Sequence, residues 1–206
     1  MKNLSLKGYY FITDANLSRA GNIHDVKAAL AAGVEIVQYR EKLKSTKEMH
    51  EEAWLLRKLC KDIIFLINDR VDIAHSVCAS GVHLGQSDMP YSAARKILGK
   101  KKIIGVTVHS LEEAKKAHRI GADYLGISPI FKTLTKPDTL SPVGVELIRR
   151  IRLKTTIPLV AIGGINLSNA QEVIAAGADC VCAISAVVSK NNVRQEIRKF
   201  QKLFSS

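Results

Sequence analysis

The chain has 206 residues, and 47% of them are hydrophobic, which is typical of a globular protein and excludes a disordered chain. Its apolar runs are far shorter than the ~20 residues that cross a bilayer, and its N-terminus lacks a signal-peptide pattern, so we expect a cytoplasmic protein with no membrane partner. The net charge of +12 favours anionic ligands, but the scattered basic residues and the aromatic content of 5% argue against a nucleic-acid partner.

Eight apolar segments of strand length follow one another, and helical patterns separate them. The predicted strands are 9–13, 35–40, 63–68, 81–85, 102–108, 123–128, 158–163 and 179–185. Several have no polar alternation, which is typical of parallel strands covered on both faces. The clearest helical patterns are 47–61, 110–120, 143–152 and 168–176.

A weak internal repeat places a glycine before every second predicted strand. We expect Gly33, Gly81, Gly121 and Gly177 each to cap a helix in the left-handed conformation. Their spacing gives roughly 24 residues for each strand–helix unit. The sequence therefore predicts an α/β fold, a single (βα)8 TIM barrel with eight parallel strands in one domain over 1–206. A doubly wound open sheet is the alternative, although no G-x-G-x-x-G follows the first strand.

The four cysteines show no paired C-x-x-C spacing, which argues against a zinc site. Cys180 and Cys182 lie two residues apart in an apolar segment, so they would share one face of a strand. We expect buried free thiols that behave as small apolar side chains.

In a barrel, the active site forms from the loops that follow the strands. Two carboxylates, Asp69 and Asp88, follow neighbouring strands, and such a pair can share Mg²⁺ with substrate phosphates. Helix capping or an ion pair with Arg70 is the alternative for either carboxylate. Arg40 and Lys42 follow the second strand, where cations suit a polyanionic leaving group, although a solvated loop would look similar.

Other strand ends also carry polar groups. Gly163 and Gly164, with Ser185 after the last strand, indicate a phosphate site, and a tight turn is the competing explanation for the glycine pair. The fifth strand contributes Thr107, and His109 follows it directly, where a histidine can also serve only to order the loop. The segment SPIFKTLTKPDT, 128–139, offers hydroxyl and ammonium groups that either face a substrate or remain in solvent.

Eight segments taken together are similar to a known family: YFITD, VQYREK, INDRVDIA, GVHLGQSDMP, IIGVTVH, GADYLGISPIFKTLTK, VAIGGI and GADCVCAIS. In this order, over roughly residues 9–188, they resemble the thiamine-phosphate synthases. The resemblance implies an enzyme that joins 4-amino-2-methyl-5-hydroxymethylpyrimidine diphosphate to 4-methyl-5-(2-hydroxyethyl)thiazole phosphate, or its 2-carboxy form. The products would be thiamine phosphate and diphosphate, the cofactor Mg²⁺, and a homodimer is the assembly that it favours.

The resemblance also implies roles for individual residues. Asp69 and Asp88 would hold Mg²⁺, while Arg40, Lys42 and Lys136 would be catalytic by stabilising the departing diphosphate. The pyrimidine diphosphate would contact Gln38, Tyr39, Arg40, Glu41, Lys42, Asn68, Thr107 and Lys136. The thiazole phosphate would contact Thr133, Leu134, Thr135, Gly164, Ile184 and Ser185.

The sequence departs from the family pattern beside these positions, with Ser128 in place of a usual glycine, Lys132 in place of a common proline, and CASG in place of GADG before the fourth strand.

Two other functions are compatible with a barrel of this kind. One is a thiazole tautomerase of the same barrel type, which needs no Mg²⁺, and the other is a non-catalytic barrel that binds a phosphorylated metabolite. Neither would require the Asp69–Asp88 pair together with the TLTK segment, so the sequence favours the synthase.

Overall fold

The computed structural model describes residues 4, 6–133 and 141–204. Three predicted site residues, Leu134, Thr135 and Lys136, lie outside the described residues. In the described ranges no helix is long and apolar enough to cross a membrane.

Short strands and helices alternate through the described chain. The strands are β1 (Gly8–Tyr9), β2 (Phe11–Ile12), β3 (Ile36–Tyr39), β4 (Ile64–Asn68), β5 (Gly81–Leu84), β6 (Ile103–Val108), β7 (Tyr124–Ile127), β8 (Leu159–Ile162) and β9 (Cys180–Cys182). The helices are α1 (Asn22–Ala32), α2 (Thr46–Leu59), α3 (Val71–Ser76), α4 (Tyr91–Leu98), α5 (Leu111–Arg119), α6 (Gly144–Arg152), α7 (Ala170–Ala175), α8 (Ile184–Val188) and α9 (Val193–Lys202).

The strands form one parallel sheet in the order β1-β9-β8-β7-β6-β5-β4-β3-β2. A single residue, Tyr10, separates β1 from β2, so the two edges of the sheet are consecutive in the chain and the sheet curls into a nearly closed barrel. The predicted α/β barrel is therefore present, but the prediction of eight strands is wrong, since the described residues contain nine.

The extra strand arises because the first predicted strand, 9–13, changes partner midway. The Tyr10 N–H donates to the Val181 carbonyl of β9 at 3.0 Å, whereas the Thr13 N–H donates to the Gln38 carbonyl of β3 at 3.0 Å. One extended segment thus serves both neighbours and is divided into β1 and β2. The sequence pattern could not show this, because it does not record the direction of each hydrogen bond.

The last predicted strand, 179–185, was extended too far. Strand β9 ends at Cys182 and helix α8 begins at Ile184, so Ser185 lies in a helix. The run remains apolar because Val187 and Val188 of this short helix are buried. A short apolar run cannot distinguish a buried strand from a buried helical turn.

Two apolar cores lie on opposite faces of the sheet. The larger fills the space between strands and helices, and the smaller lies inside the barrel. Cys180 and Cys182 are buried in the inner core and are free thiols, which confirms the prediction that they share one face. The other buried members of the inner core are Leu6, Tyr10, Ile12, Ile36, Leu66, Tyr124 and Val160.

Three of the four repeat glycines have the predicted left-handed conformation, with φ of 85° at Gly33, 90° at Gly121 and 105° at Gly177. The prediction for Gly81 is wrong, because this glycine begins β5 and its Cβ would collide with the carbonyl oxygen of Ile103. The left-handed residue after α3 is instead Cys78, with φ of 53°. This is the first residue of the CASG segment, where the family pattern has a glycine.

This position allows a test of backbone strain. Replacing Cys78 with glycine should stabilise the fold by about 0.5–1 kcal/mol, because a left-handed L-residue costs roughly 1–2 kcal/mol and the added freedom of the unfolded chain offsets part of that gain. The free energy of unfolding in urea would measure the change. Cys78→Ala is the matched control, since it retains the strain and should bring no such gain.

Two repeat units also carry an aspartate after the glycine. The Asp123 carboxylate accepts the Ile104 N–H at 2.7 Å and an Arg95 N–H at 2.7 Å. In the later unit the Asp179 carboxylate accepts the Leu159 N–H at 2.7 Å and pairs with the guanidinium of an arginine of α6. Each aspartate therefore stabilises the amino end of a strand by hydrogen bonding. These strand ends lie at the end of the barrel opposite the predicted site.

Candidate active site

A cavity opens at the carboxyl ends of the strands and has a volume of about 960 Å³, including its open mouth. The predicted site residues that line it are Gln38, Arg40, Asn68, Thr107, Thr133, Gly164, Ile184 and Ser185. The structure therefore brings together residues from strand ends far apart in the sequence. Asp69, Asp88 and Lys42 lie beside this cavity rather than in its wall.

Strand alternation decides which residues of β3 and its following loop reach the cavity. Gln38 and Arg40 line it, whereas Tyr39 is buried in the core between sheet and helices. The Tyr39 hydroxyl donates to the Glu52 carboxylate at 2.6 Å. Burial and this carboxylate raise the pKa of Tyr39 well above its ordinary value. The structure thus places Tyr39 in a packing position.

Glu41 organises the loop that follows β3. Its Oε1 accepts the backbone N–H groups of Lys42 at 2.7 Å and of Leu43 at 2.8 Å, and its side chain is 4% exposed. The carboxylate is therefore directed to its own loop and is not part of the cavity wall. It holds Lys42 in place through the backbone.

Arg40 is oriented by two residues that were not among the predicted site residues, Thr13 and Asp14. Its guanidinium donates to Asp14 Oδ2 at 3.2 Å, and its backbone N–H donates to Thr13 Oγ1 at 2.9 Å. Asp14 is 5% exposed, and its other oxygen accepts the N–H of Asn16 at 3.2 Å. A buried carboxylate fixed in this way holds the guanidinium at the cavity. The YFITD segment contained this signal, because a polar pair directly follows an apolar strand.

The two predicted metal ligands are adjacent. Asp88 Oδ2 accepts the Gly85 N–H at 2.6 Å, and burial together with a hydrogen bond to Asp69 raises the pKa of the Asp88 carboxyl. The Lys42 ammonium pairs with Asp69, so this position attracts a cation. Asp69 has φ of 61°, and its N–H donates to the His83 carbonyl at 2.8 Å, which directs the carboxylate to this rim.

The alternative ion pair for Asp69 is not formed. Arg70 donates instead to Asp72 at 2.5 Å, an interaction on the outside of the barrel. The described residues contain no cluster of three or more His, Cys, Asp or Glu side chains arranged for a metal. Two adjacent carboxylates nevertheless fit Mg²⁺, which commonly takes one or two protein carboxylates and completes its shell with water and phosphate oxygens.

At the other side of the cavity, Gly163 and Gly164 have φ of 101° and 66°. A Cβ on Gly164 would lie 2.5 Å from the Lys132 carbonyl oxygen, and one on Gly163 would lie 2.7 Å from Pro129. The Phe131 N–H donates to the Gly163 carbonyl at 3.0 Å. The loop after β7 therefore packs directly on the glycines, and their positive φ angles support the tight-turn explanation. Both glycines also line the cavity.

The start of α8 completes this side of the cavity. Ala183, the residue before the helix, provides no side-chain cap, and Ala183, Ile184 and Ser185 line the cavity. The first N–H groups of a helix have no partner within it and attract anions. Thr133 lies in the same wall, whereas Lys132 is exposed to solvent.

The family resemblance assigns the thiazole phosphate to this wall. On that assignment we expect Gly164→Ala to weaken binding of this phosphate by at least about tenfold, because the added methyl displaces the loop that carries Thr133. Calorimetric titration with that phosphate would measure the affinity. Gly99→Ala is the control, since it also lies at positive φ but has nothing within 4 Å of the new Cβ. Equal affinities for the two variants would show that the packing at Gly164 is unimportant for the ligand.

Three polar residues that were not predicted as site residues also line the cavity, namely Tyr10, His83 and Tyr124. They occupy inward positions of predicted strands, where polar side chains interrupt an apolar pattern, and that interruption was the available signal. His109 also lines the cavity, and its Nδ1 bonds the Ser128 carbonyl, so it orders the loop after β7.

The chain is similar to known proteins over nearly its whole length. The profile of the family described as Thiamine monophosphate synthase matches residues 9–187. A Thiamine-phosphate synthase of Methanosarcina mazei is 52% identical over 97% of this chain and 85% of its own length. One from Chloroflexus aurantiacus is 49% identical over 95% of this chain and 92% of its own. The solved structure of a thiamine phosphate pyrophosphorylase from Pyrococcus furiosus has a TM-score of 0.89 and 42% identity, covering 97% of this chain and 96% of that one.

Proposed function

The chain belongs to the thiamine monophosphate synthase family, and from this premise we propose how its cavity carries out the reaction. The enzyme joins the pyrimidine diphosphate to the thiazole phosphate and releases thiamine phosphate and diphosphate. With the carboxylated thiazole phosphate as the second substrate, the carboxyl group is also lost as carbon dioxide. In the proposed mechanism the bond from the pyrimidine methylene carbon to the diphosphate oxygen breaks first. The thiazole nitrogen then attacks that carbon.

The observation that best supports this mechanism is the difference between the two walls of the cavity. Cationic and carboxylate groups cluster at the end of β3 and β4, with Arg40, Lys42 and Asp69 in contact with one another or with a buried acid. The opposite wall carries the α8 N-terminus and the glycine turn. One side thus suits a diphosphate and the other a monophosphate, so the two reactants would meet in the middle.

We assign Mg²⁺ to Asp69 and Asp88, where the ion would neutralise charge on the departing diphosphate. When the substrate is present, the Lys42 ammonium group would leave its ion pair with Asp69 and pair with the diphosphate instead. Arg40, held by Asp14, presents a planar fork of N–H donors to phosphate oxygens. Lys136, outside the described residues, is assigned to the same diphosphate from the TLTK segment.

These cations act on the leaving group and not on a proton. Each stabilises negative charge that grows as the diphosphate departs, which lowers the barrier to ionisation. Gln38, Asn68 and Thr107 would hold the pyrimidine ring, while Thr133, Gly164 and Ser185 hold the thiazole phosphate. Placing the thiazole nitrogen near the methylene carbon makes the second step effectively unimolecular.

The same proposal includes a homodimer of single-domain barrels in the cytoplasm.

The arrangement of the rim favours the synthase over a thiazole tautomerase. The Asp69–Asp88 pair and Lys42 meet there, and a metal-free isomerisation does not need them. A passive metabolite-binding barrel would have no use for the same rim.

The test is incubation with both heterocyclic phosphates, with and without Mg²⁺, while thiamine phosphate and diphosphate are quantified by chromatography. We expect equal amounts of the two products with Mg²⁺ and neither after treatment with a chelator. Isomerisation of a carboxythiazole phosphate without diphosphate release would instead identify a tautomerase.

A further inference from the structure

Five polar side chains form a continuous hydrogen-bonded chain across the cavity floor, and we name them the relay. Gln38 Nε2 donates to the Tyr10 hydroxyl at 2.8 Å, and the Tyr10 and Tyr124 hydroxyl oxygens are 2.8 Å apart. The Tyr124 hydroxyl lies 2.8 Å from His83 Nδ1, and His83 Nε2 lies 2.7 Å from Thr107 Oγ1. The relay therefore joins Gln38 of β3 to Thr107 of β6 through the inside of the barrel.

Water cannot replace these bonds easily, because the middle of the relay is buried. Tyr10 is 1% exposed, Tyr124 is 0% exposed and Gln38 is 2% exposed. Burial raises the pKa of both tyrosines, so each hydroxyl keeps its proton. A buried hydroxyl that loses a partner is costly, so each has to donate one bond as well as accept one.

These constraints give the relay a direction. The Gln38 amide nitrogen can donate but not accept, so Tyr10 must direct its own proton to Tyr124. Tyr124 must in turn donate to His83 Nδ1, which leaves the histidine proton on Nε2. His83 then donates to Thr107, and the single proton of the Thr107 hydroxyl is available to an acceptor in the cavity.

We propose that the relay fixes the polarity of the pyrimidine site, with Tyr10, Tyr124 and His83 as positioning residues. It reserves the Gln38 amide nitrogen for Tyr10 and leaves Oε1 to accept a bond from the ligand, while Thr107 is made a donor. This inference rests on the proposed function. The relay explains why the site would select a pyrimidine ring that bears an amino group. A 4-oxo group would place one hydrogen-bond acceptor against another, the Oε1 atom of Gln38.

The histidine tautomer reports the direction of the relay without any measurement of activity. Long-range proton–nitrogen correlation spectra of nitrogen-15-labelled enzyme at about pH 8 distinguish Nε2–H from Nδ1–H in neutral imidazoles. We expect Nε2–H at His83, assigned by its loss in His83→Asn. His109 is an internal reference, because its Nδ1 faces the Ser128 carbonyl and must donate.

One substitution should reverse the whole chain. In Gln38→Glu the carboxylate can only accept, so Tyr10 must donate to it, Tyr124 to Tyr10, and His83 Nδ1–H to Tyr124. The His83 proton would then move to Nδ1, three hydrogen bonds away from the substitution. In Tyr10→Phe the link is cut, so His83 should show both tautomers and should no longer respond to Gln38→Glu.

These spectra can overturn the proposal in either of two ways. A proton on Nδ1 of His83 in the unmodified enzyme contradicts the direction, and an unchanged tautomer in folded Gln38→Glu contradicts the coupling. If Gln38→Glu does not fold, Tyr10→Phe decides, because a pure Nε2–H signal there means that Tyr10 does not set the direction.

Kinetics separates the relay from the proposed function. The enzyme should favour the 4-amino over the 4-oxo pyrimidine diphosphate by about 10⁴-fold in kcat/KM, and Tyr10→Phe should narrow this ratio about tenfold. If the spectra show the expected tautomers but the protein makes no thiamine phosphate, the direction of the relay stands. The proposed function and the assignment of the pyrimidine ligand are then both wrong. If the enzyme makes thiamine phosphate but the His83 tautomer does not change in Gln38→Glu, only the relay is disproved and the proposed function stands.

Discussion

Replacing Asp69 with asparagine is expected to lower the rate of thiamine phosphate formation by about 10²–10³-fold, the usual effect of losing one strong electrostatic contact to a leaving group. Asparagine has almost the same shape but no charge, so the proposed metal site would keep only Asp88. Asparagine also tolerates the left-handed backbone of this position, where φ is 61°. The loss should therefore be chemical rather than structural.

The measurement is kcat/KM at several Mg²⁺ concentrations, together with the free energy of unfolding in urea. The metal dependence should shift to higher Mg²⁺ while the unfolding free energy changes by less than about 1 kcal/mol, because the exposed Lys42 contributes little to stability. Asp72→Asn is the matched control, since Asp72 pairs with Arg70 outside the cavity, and its activity should be unchanged. Equal activities of the two variants would disprove the metal assignment of Asp69.

Replacing Arg40 with lysine is expected to lower kcat/KM by about 10²-fold. A lysine keeps a positive charge beside buried Asp14, so the fold is not left with an unpaired carboxylate. It cannot, however, bond Asp14 and a phosphate oxygen through one planar fork, as a guanidinium does. The effect should fall on kcat more than on KM, because the contact strengthens as the diphosphate departs.

Steady-state kinetics with each substrate varied in turn would measure this split. Arg19→Lys is the control, because this exposed arginine bonds Asn191 and lies outside the cavity wall. A rise in KM alone would show that Arg40 binds the ground state and transition state equally, and would contradict its catalytic assignment.

Much of the fold was predictable because a covered parallel strand leaves a simple apolar pattern. The barrel, the burial of Cys180 and Cys182 on one shared face, and three of the left-handed glycines followed from that pattern. The division of the first strand at Tyr10 did not, because hydrogen-bond partners leave no trace in an apolar run. Gly81 was misassigned because close approach of a strand and left-handed geometry both require glycine.

The candidate site was predictable only where the relevant residues are neighbours in the sequence. Arg40 and Asp69 stood out because each directly follows an apolar strand, and Asp88 because it lies in the short loop after the next strand. Tyr39 and Glu41 lie in the same segment but turn to α2 and to their own loop, as the structure shows. Gln38 and Thr107 were selected from the sequence, but the hydrogen-bonded relay that joins them was not, since its members come from five places in the chain and meet only inside the barrel.

The central mechanistic claim is that the diphosphate leaves before the thiazole nitrogen attacks. It can be tested with the pyrimidine diphosphate carrying oxygen-18 in the bridge between carbon and phosphorus, incubated with enzyme and Mg²⁺ but without thiazole. Ionisation and return would move the label into non-bridging positions, and phosphorus NMR would detect the change. We expect this scrambling with the unmodified enzyme and about 10²-fold less with Arg40→Lys. A label that stays in the bridge, in enzyme that forms product at its full rate once thiazole is added, would contradict the mechanism.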